Sequence, residues 1–266
     1  MQIQAPLELS LFLKHYLFLE LNSNVSKKYR LFSNGNPALV FVLNENSNDS
    51  KIDGVVIPEI FVFGQITTSI DIQLSGNTKI LAIIFQPNGL HRLTNLSANR
   101  IKDAIVDAEH VFGKEIKTIR DAVIGIGSKD LIVKRLNKYF QSLIVDPLPK
   151  SSTITTHITD KIIRNRGIIS IQNIKDEFLL HERKLQRLFA DQIGISPKKF
   201  IQIVKLHSFI GHLHTNLISK KITSSVFEAG YYDQSHLIKE FKNITRMTPM
   251  EYIKARAIAV NLIEVA

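Results

Sequence analysis

The sequence predicts an α+β protein in two parts, a β-rich half with flanking helices followed by an all-α half. Three observations point there. Short apolar runs separated by turn residues fill the first half, capped amphipathic segments fill the second, and the second half repeats itself. The segment from His181 to Phe200 lies on the segment from Asp233 to Tyr252 at a shift of 52, with no gap. Leu185 then falls on Leu237, Arg187 on Lys239, Phe189 on Phe241, Ser196 on Thr248 and Pro197 on Pro249. A unit repeated at fixed spacing is one supersecondary element used more than once.

The first half reads as strands. Ala38 to Leu43 is a continuous apolar run, and Val55–Ile57 and Ile60–Phe63 flank Pro58. From Ser69 to Leu74 the pattern alternates, with Ile70, Ile72 and Leu74 on one side and Asp71 and Gln73 on the other. Ser75-Gly76-Asn77-Thr78 supplies a turn and Lys79–Phe85 a returning strand. The apolar stretch Leu7–Leu21 reads as core helix or strand; Glu8, Lys14, His15 and Glu20 break it too often for a membrane span. Ser128 caps an expected helix whose Leu131, Leu136, Tyr139, Phe140 and Leu143 share one face. Two readings of that stripe stand: it pairs with a second protomer, making a homodimer, or it covers the β-rich half.

Pro147 and Pro149 forbid a continuous helix, so residues 147–152 are expected to be a linker between a 1–146 sensor or dimerisation domain and a 153–266 helical domain. Residues 151–266 are then expected to fold alone. The helices that follow are marked in turn. Ile154, Ile158, Ile162 and Ile163 carry the first, ending near Gly167, and Ser170 caps the second through Phe178. The third spans about Glu182–Ile193 with Gly194 as its left-handed stop. Ser196-Pro197 opens a long fourth, a fifth covers about Thr223–Ala229, Asp233 caps a sixth, and Thr248-Pro249-Met250-Glu251 is a capping box for the seventh.

Charge narrows the function. Residues from Ser151 onward hold 17 Lys/Arg against 10 Asp/Glu, whereas residues 1–150 hold 17 against 14. A basic domain beside a nearly balanced one suits a polyanionic partner for the basic part. There is no cysteine, which excludes disulfides and thiolate metal sites and fits a reducing cytoplasm. His15, His91 and His110 stand far apart in sequence, so no metal and no other cofactor is expected.

The two repeated helices sort by angle. At 100° per residue Leu185, Leu188 and Phe189 share one side of the third helix while Arg183, Gln186 and Arg187 point away. Arg forks onto guanine and Gln onto adenine in the major groove. In the sixth helix Leu237, Phe241 and Ile244 form the apolar side; Ser235, His236, Lys239 and Lys242 lie roughly opposite, with Gln234 at the N-terminal end. Lys242 and Lys199 lie off the base-facing arc or near a helix start, and are expected to touch phosphate. About 17 residues of fourth helix at 1.5 Å each span roughly 25 Å, which with flanking helix widths approaches the ~34 Å between successive major-groove faces.

Gly230-Tyr231-Tyr232-Asp233-Gln234-Ser235-His236-Leu237, then Phe241-Lys242 and Thr248-Pro249-Met250-Glu251-Tyr252, resembles the signature of AraC-family transcription regulators. Leu185-Gln186-Arg187-Leu188-Phe189 and Gly194-Ile195-Ser196-Pro197 resemble the family's first helix-turn-helix. The likeness covers roughly residues 153–255. It implies two helix-turn-helix units on one long helix, reading double-stranded DNA with Arg183, Gln186 and Arg187 in the first unit and Gln234, Ser235, His236 and Lys239 in the second. Departures are His181 where Ser is preferred, Lys175 and Val226 for a small alanine, Ser225 for a buried aliphatic, Phe209 for a small linker residue and Arg246 for glycine. Phe85-Gln86-Pro87-Asn88-Gly89-Leu90 and the strands around it resemble the cupin-like sensor halves found ahead of this reader, implying a small-molecule effector. The leading reading is a sequence-specific transcription regulator rather than an enzyme, since the alkyl-transfer repair proteins that share the reader need a nucleophilic cysteine. A non-specific architectural DNA binder is the alternative.

Overall fold

Strand Ala38–Val42 is buried along its whole length, which explains its unbroken apolar sequence. Its side chains alternate between two cores: Leu39 and Phe41 face helices, while Ala38, Val40 and Val42 face a second sheet. Strands covered on both faces lose the alternation that marks half-exposed ones. Ile70–Leu74 keeps it, with Ile72 and Leu74 buried and Gln73 exposed.

The computed structural model describes residues 1–21, 25–43, 50–52, 54–74, 78–144, 149–216 and 229–265. Its strands are β1 (Gln2–Gln4), β2 (Leu13–Leu21), β3 (Lys27–Leu31), β4 (Ala38–Val42), β5 (Lys51–Ile52), β6 (Val55–Val56), β7 (Ile60–Phe63), β8 (Ile70–Leu74), β9 (Thr78–Phe85), β10 (Ile105–Asp107), β11 (Ala257–Ala259) and β12 (Leu262–Val265). One sheet runs β1-β2-β9-β4-β7-β10 and the other β11-β12-β3-β8-β5-β6. The helices are α1 (Gly89–Thr94), α2 (Glu109–Phe112), α3 (Glu115–Ile124), α4 (Lys129–Ser142), α5 (Lys150–Arg164), α6 (Ile171–Phe178), α7 (Glu182–Gln192), α8 (Pro197–Asn216), α9 (Gln234–Thr245) and α10 (Pro249–Lys254). The first half is thus layered: helices, a sheet buried on both sides, an apolar interior and a second sheet. The expected α+β class, a β-rich half and a helical half, holds.

The long apolar stretch near the start resolves as a 3-10 turn (Leu7–Leu9) and then β2, because only Leu13, Tyr16, Phe18 and Leu21 of that strand are buried. The α4 stripe is core: Leu136 and Phe140 are both 0% exposed and pack with Phe85 and Leu81, so they cover the sheet and cannot pair with a second protomer. Leu131 alone of that stripe is exposed. Ser128 stands at the N-cap of α4 without a side-chain bond to it.

The expected linker is shorter than residues 147–152. Pro149 is the N-cap of α5, whose first turn is Lys150, Ser151 and Ser152. The helical unit also ends earlier than residue 266. After Lys254 the chain leaves the helices and forms the β11–β12 hairpin, which extends the second sheet by pairing β12 antiparallel to β3. The turn 75–77 and most of the fifth helix, with Ser225 and Val226, fall outside the described residues.

The halves share a core. Phe32, which follows β3, is 0% exposed within the helical cluster, beside His207 of α8 (ring centroids 5.8 Å) and Tyr252 of α10 (6.1 Å). Alternation along β12 sends Leu262 into the sandwich and Ile263 into the helices. The Gln86–Leu90 motif bridges the halves as well. Asn88 donates to the Ser152 carbonyl (3.1 Å) and to Thr156 Oγ1 (3.0 Å), and Arg92 donates to Thr156 Oγ1 (3.2 Å). Gly194 ends α7 at φ +90°, and a Cβ there would stand 2.8 Å from the Ala98 carbonyl oxygen, so a side chain is barred twice over. These contacts weigh against residues 151–266 folding alone.

Candidate nucleic-acid interface

The caps set how firmly each of the two repeated helices begins. Asp233 Oδ1 accepts from the His236 amide (2.7 Å), so α9 starts with an ordered first turn. His181 stands at the same place before α7 and makes no side-chain bond. α10 carries the full reciprocal box: Thr248 Oγ1 accepts from the Glu251 amide (3.1 Å) and Glu251 Oε2 from the Thr248 amide (2.6 Å). Arg246 adopts φ +56° at the position of Gly194 in the first unit, so the repeated turn keeps its left-handed stop despite the residue change.

Among the residues expected to read DNA, Arg183 and Arg187 are exposed and Gln186 half-exposed on α7, over buried Leu185, Leu188 and Phe189. Gln234, Ser235, His236, Lys239 and Lys242 are exposed on α9, over buried Leu237, Phe241 and Ile244. Both units join through α8, which at 20 residues is about 30 Å long. Lys199 differs from the rest. It is half-buried at the start of α8; burial lowers its pKa, and Glu240 and Asp103 oppose that shift. Its exposed neighbour Lys198 is the freer cation at that helix start, and the two adjacent lysines were the signal for it.

The repeat breaks at one informative place. Leu188 of the first unit corresponds to Glu240 of the second, an acid in an apolar position, only 8% exposed. Tyr231 donates to Glu240 Oε1 (3.1 Å), Gln202 of α8 to Oε2 (3.5 Å), and His236 Nε2 lies 3.7 Å from Oε2. Lys205 of α8 sits 4.1 Å over the Tyr231 ring. Burial and the adjacent Glu240 carboxylate raise the Tyr231 pKa, so the phenol keeps its proton and donates. The network ties α9 to α8 through polar contacts where the first unit uses apolar packing.

A second feature lies away from the reading helices. Between the two sheets is a cavity of about 100 Å³ walled by side chains such as Leu19, Val40, Phe61, Ile80 and Leu262. At Leu17, Asn34, Asn36, Ile84, Ala259 and Asn261 it abuts a wider cleft of about 610 Å³ between the first half and α8. Lys14, His15, Arg166, His207 and His212 line that cleft, and among the described residues no Asp or Glu does. Burial and the Lys14 charge hold His15 near pKa 4. Burial also brings His207 to about 4 against its bond to the Ser33 carbonyl (2.7 Å), which the neutral ring donates. Both are neutral at pH 7, and Lys14 and Arg166 bring positive charge to the cleft. Protein crowding lowers the Lys14 pKa, though its side chain is solvent-accessible. Among the described residues no group of three His, Asp or Glu could hold a metal ion.

A basic-faced helix presented twice from one long helix, its second copy capped by Asp233, defines a double helix-turn-helix module. Residues 175–255 match the family described as a helix-turn-helix domain, and residues 1–107 match a domain of unknown function (DUF6597). An uncharacterized HTH-type transcriptional regulator of Haemophilus influenzae is 32% identical over 69 residues, 26% of this chain and 22% of that relative's length. ToxT from Vibrio cholerae, in its crystal structure bound to (E)-4-(8-methylnaphthalen-1-yl)but-3-enoic acid, is similar with TM-score 0.51 at 14% identity, covering 90% of this chain and 98% of that one. An apo ToxT variant gives TM-score 0.50 at 12% identity, covering 90% and 97%. Residues 175–255 of the second half are thus a helix-turn-helix domain of the AraC type.

Proposed function

We propose that this chain is a sequence-specific, DNA-binding transcription regulator whose first half takes a small-molecule effector. The observation that carries the DNA reading is the pair of exposed polar faces, Arg183-Gln186-Arg187 and Gln234-Ser235-His236-Lys239, on two helices joined by α8. Selection from random duplexes tests it. The expected outcome is a bipartite motif with two short elements about one helical turn, ~34 Å, apart; flat enrichment identifies a non-specific architectural binder instead.

The effector reading rests on the adjoining cavity and cleft, the first apolar and the second cationic. That polarity suits an organic acid with an apolar body, the class of compound in the ToxT complex. Lys14 is the residue proposed to meet the acid group. Dodecanoate should bind the parent protein, and Lys14→Gln should weaken it about tenfold, the loss of one charge-assisted bond. Equal affinity for both proteins, measured calorimetrically, would move the acid group elsewhere.

A further inference from the structure

The β11–β12 hairpin touches everything a switch would need to touch. Ala259, Asn261 and Leu262 wall the sandwich cavity, and Val260 and Asn261 wall the cleft. The same hairpin begins three residues after α10, the last helix of the second reading unit. Tyr252 of α10 donates to the Val260 carbonyl (3.0 Å) and packs edge-on against Phe241 of α9 (5.8 Å). Ile263, on the other face of β12, is fully buried in the helical core. One short strand therefore forms part of the cavity wall and part of the second unit's footing.

The cavity is smaller than what it is read to hold. Ligand sites are usually about 300–1,000 Å³, against about 100 Å³ between these sheets. Something in the wall must move for an apolar body to enter. The first sheet is fixed by side chains packed on both faces, and β3 and β8 are interior strands. β12 is held by four residue pairs to β3, the Lys27–Glu264 ion pair (2.7 Å), and two bonds between Asn261 and the Phe32 backbone (3.0 Å each). Beyond it lies only the three-residue β11. At the opposite edge β5 and β6 are two residues each, and Ile52 of β5 also walls the cavity; the β11–β12 edge is the one whose strand also enters the helical core, through Ile263.

We propose that the β11–β12 hairpin is a ligand-displaced strap: an apolar ligand entering the sandwich pushes out Leu262, unseats β12 from β3, and thereby loosens the second reading unit from the first half. The proposal rests on the reading that the first half takes an effector, and adds how occupancy is transmitted. A ligand that competes with a docked strand shifts the strand's equilibrium by its preference for the undocked state.

The chain has no cysteine, so Lys28→Cys with Val265→Cys, which face each other in the β3–β12 ladder, gives a single reversible lock in the full chain. With dodecanoate as probe, the reduced pair should bind like the parent protein, and amide exchange across residues 234–254 should speed up about tenfold. The oxidised form should bind about tenfold more weakly and show no such response. Equal binding by oxidised and reduced forms overturns the strap as gate; binding without faster exchange over 234–254 overturns its link to the reader. Absence of dodecanoate binding in every form overturns the effector reading, and the gating with it. The tether is decided separately, without ligand: Leu262→Ala should speed exchange over 234–254 by about tenfold or more while residues 81–85 stay protected. Unchanged exchange there overturns the tether whatever dodecanoate does.

Discussion

Replacing Phe32 by Ala should lower the unfolding free energy by about 3–5 kcal/mol, the range for truncating a fully buried aromatic ring. The ring lies in the helical core although its backbone belongs to the β-rich half, and it contacts His207 and Tyr252. Its amide and carbonyl are both engaged by Asn261. Truncation therefore opens a void where α8, α10 and β12 converge. In urea the parent chain should unfold in one transition followed equally by helical and sheet signals. Phe32→Ala should move the midpoint down and separate the two signals. A loss under about 1 kcal/mol, with the signals still coincident, would mean that the helical half stands without this junction. By the same argument residues 151–266 expressed alone should be largely unfolded, since they lose Phe32, Asn88 and the strand that β12 pairs with.

The difference between that outcome and the independent unit expected from the two prolines shows where sequence reading stops. Helix positions in the second half were legible because their ends are chemical: Ser170, Asp233 and Thr248 all cap as expected, and Gly194 takes its positive φ. Cap chemistry is local and survives without knowledge of the tertiary structure. β3 and β12 were missed for the opposite reason. Lys27–Leu31 has only Tyr29 buried, and Leu262–Val265 is four residues long; each becomes a strand because the other is there to pair with. The α4 stripe was legible as a face but not as a destination, because amphipathicity gives the side that is buried and not what buries it. Glu240 was readable in hindsight, as a charged residue at the repeat position of Leu188.

Arg187→Ala should cost about 1–3 kcal/mol on the site selected from random duplexes and relax preference at one base pair, because a forked guanidinium discriminates guanine from the other bases. Arg187 projects from α7 opposite the buried Leu185 and Phe189 and is exposed, so the change removes no packing and the fold should be untouched. Lys242→Ala is the matched control. It is also exposed, on the last turn of α9, and as a phosphate contact its loss should weaken all sequences alike and reduce the salt slope by about one. Lys199 and Lys198 sharpen the comparison. Lys199 is half-buried with the charges of Glu240 and Asp103 acting on it, whereas Lys198 is exposed. Lys198→Ala should therefore lower the salt slope, and Lys199→Ala should leave it unchanged. Should Arg187→Ala weaken all duplexes equally, α7 grips the backbone and base reading falls to α9 alone. Should Lys199→Ala instead flatten the slope, α8 must turn its first residues toward DNA on binding.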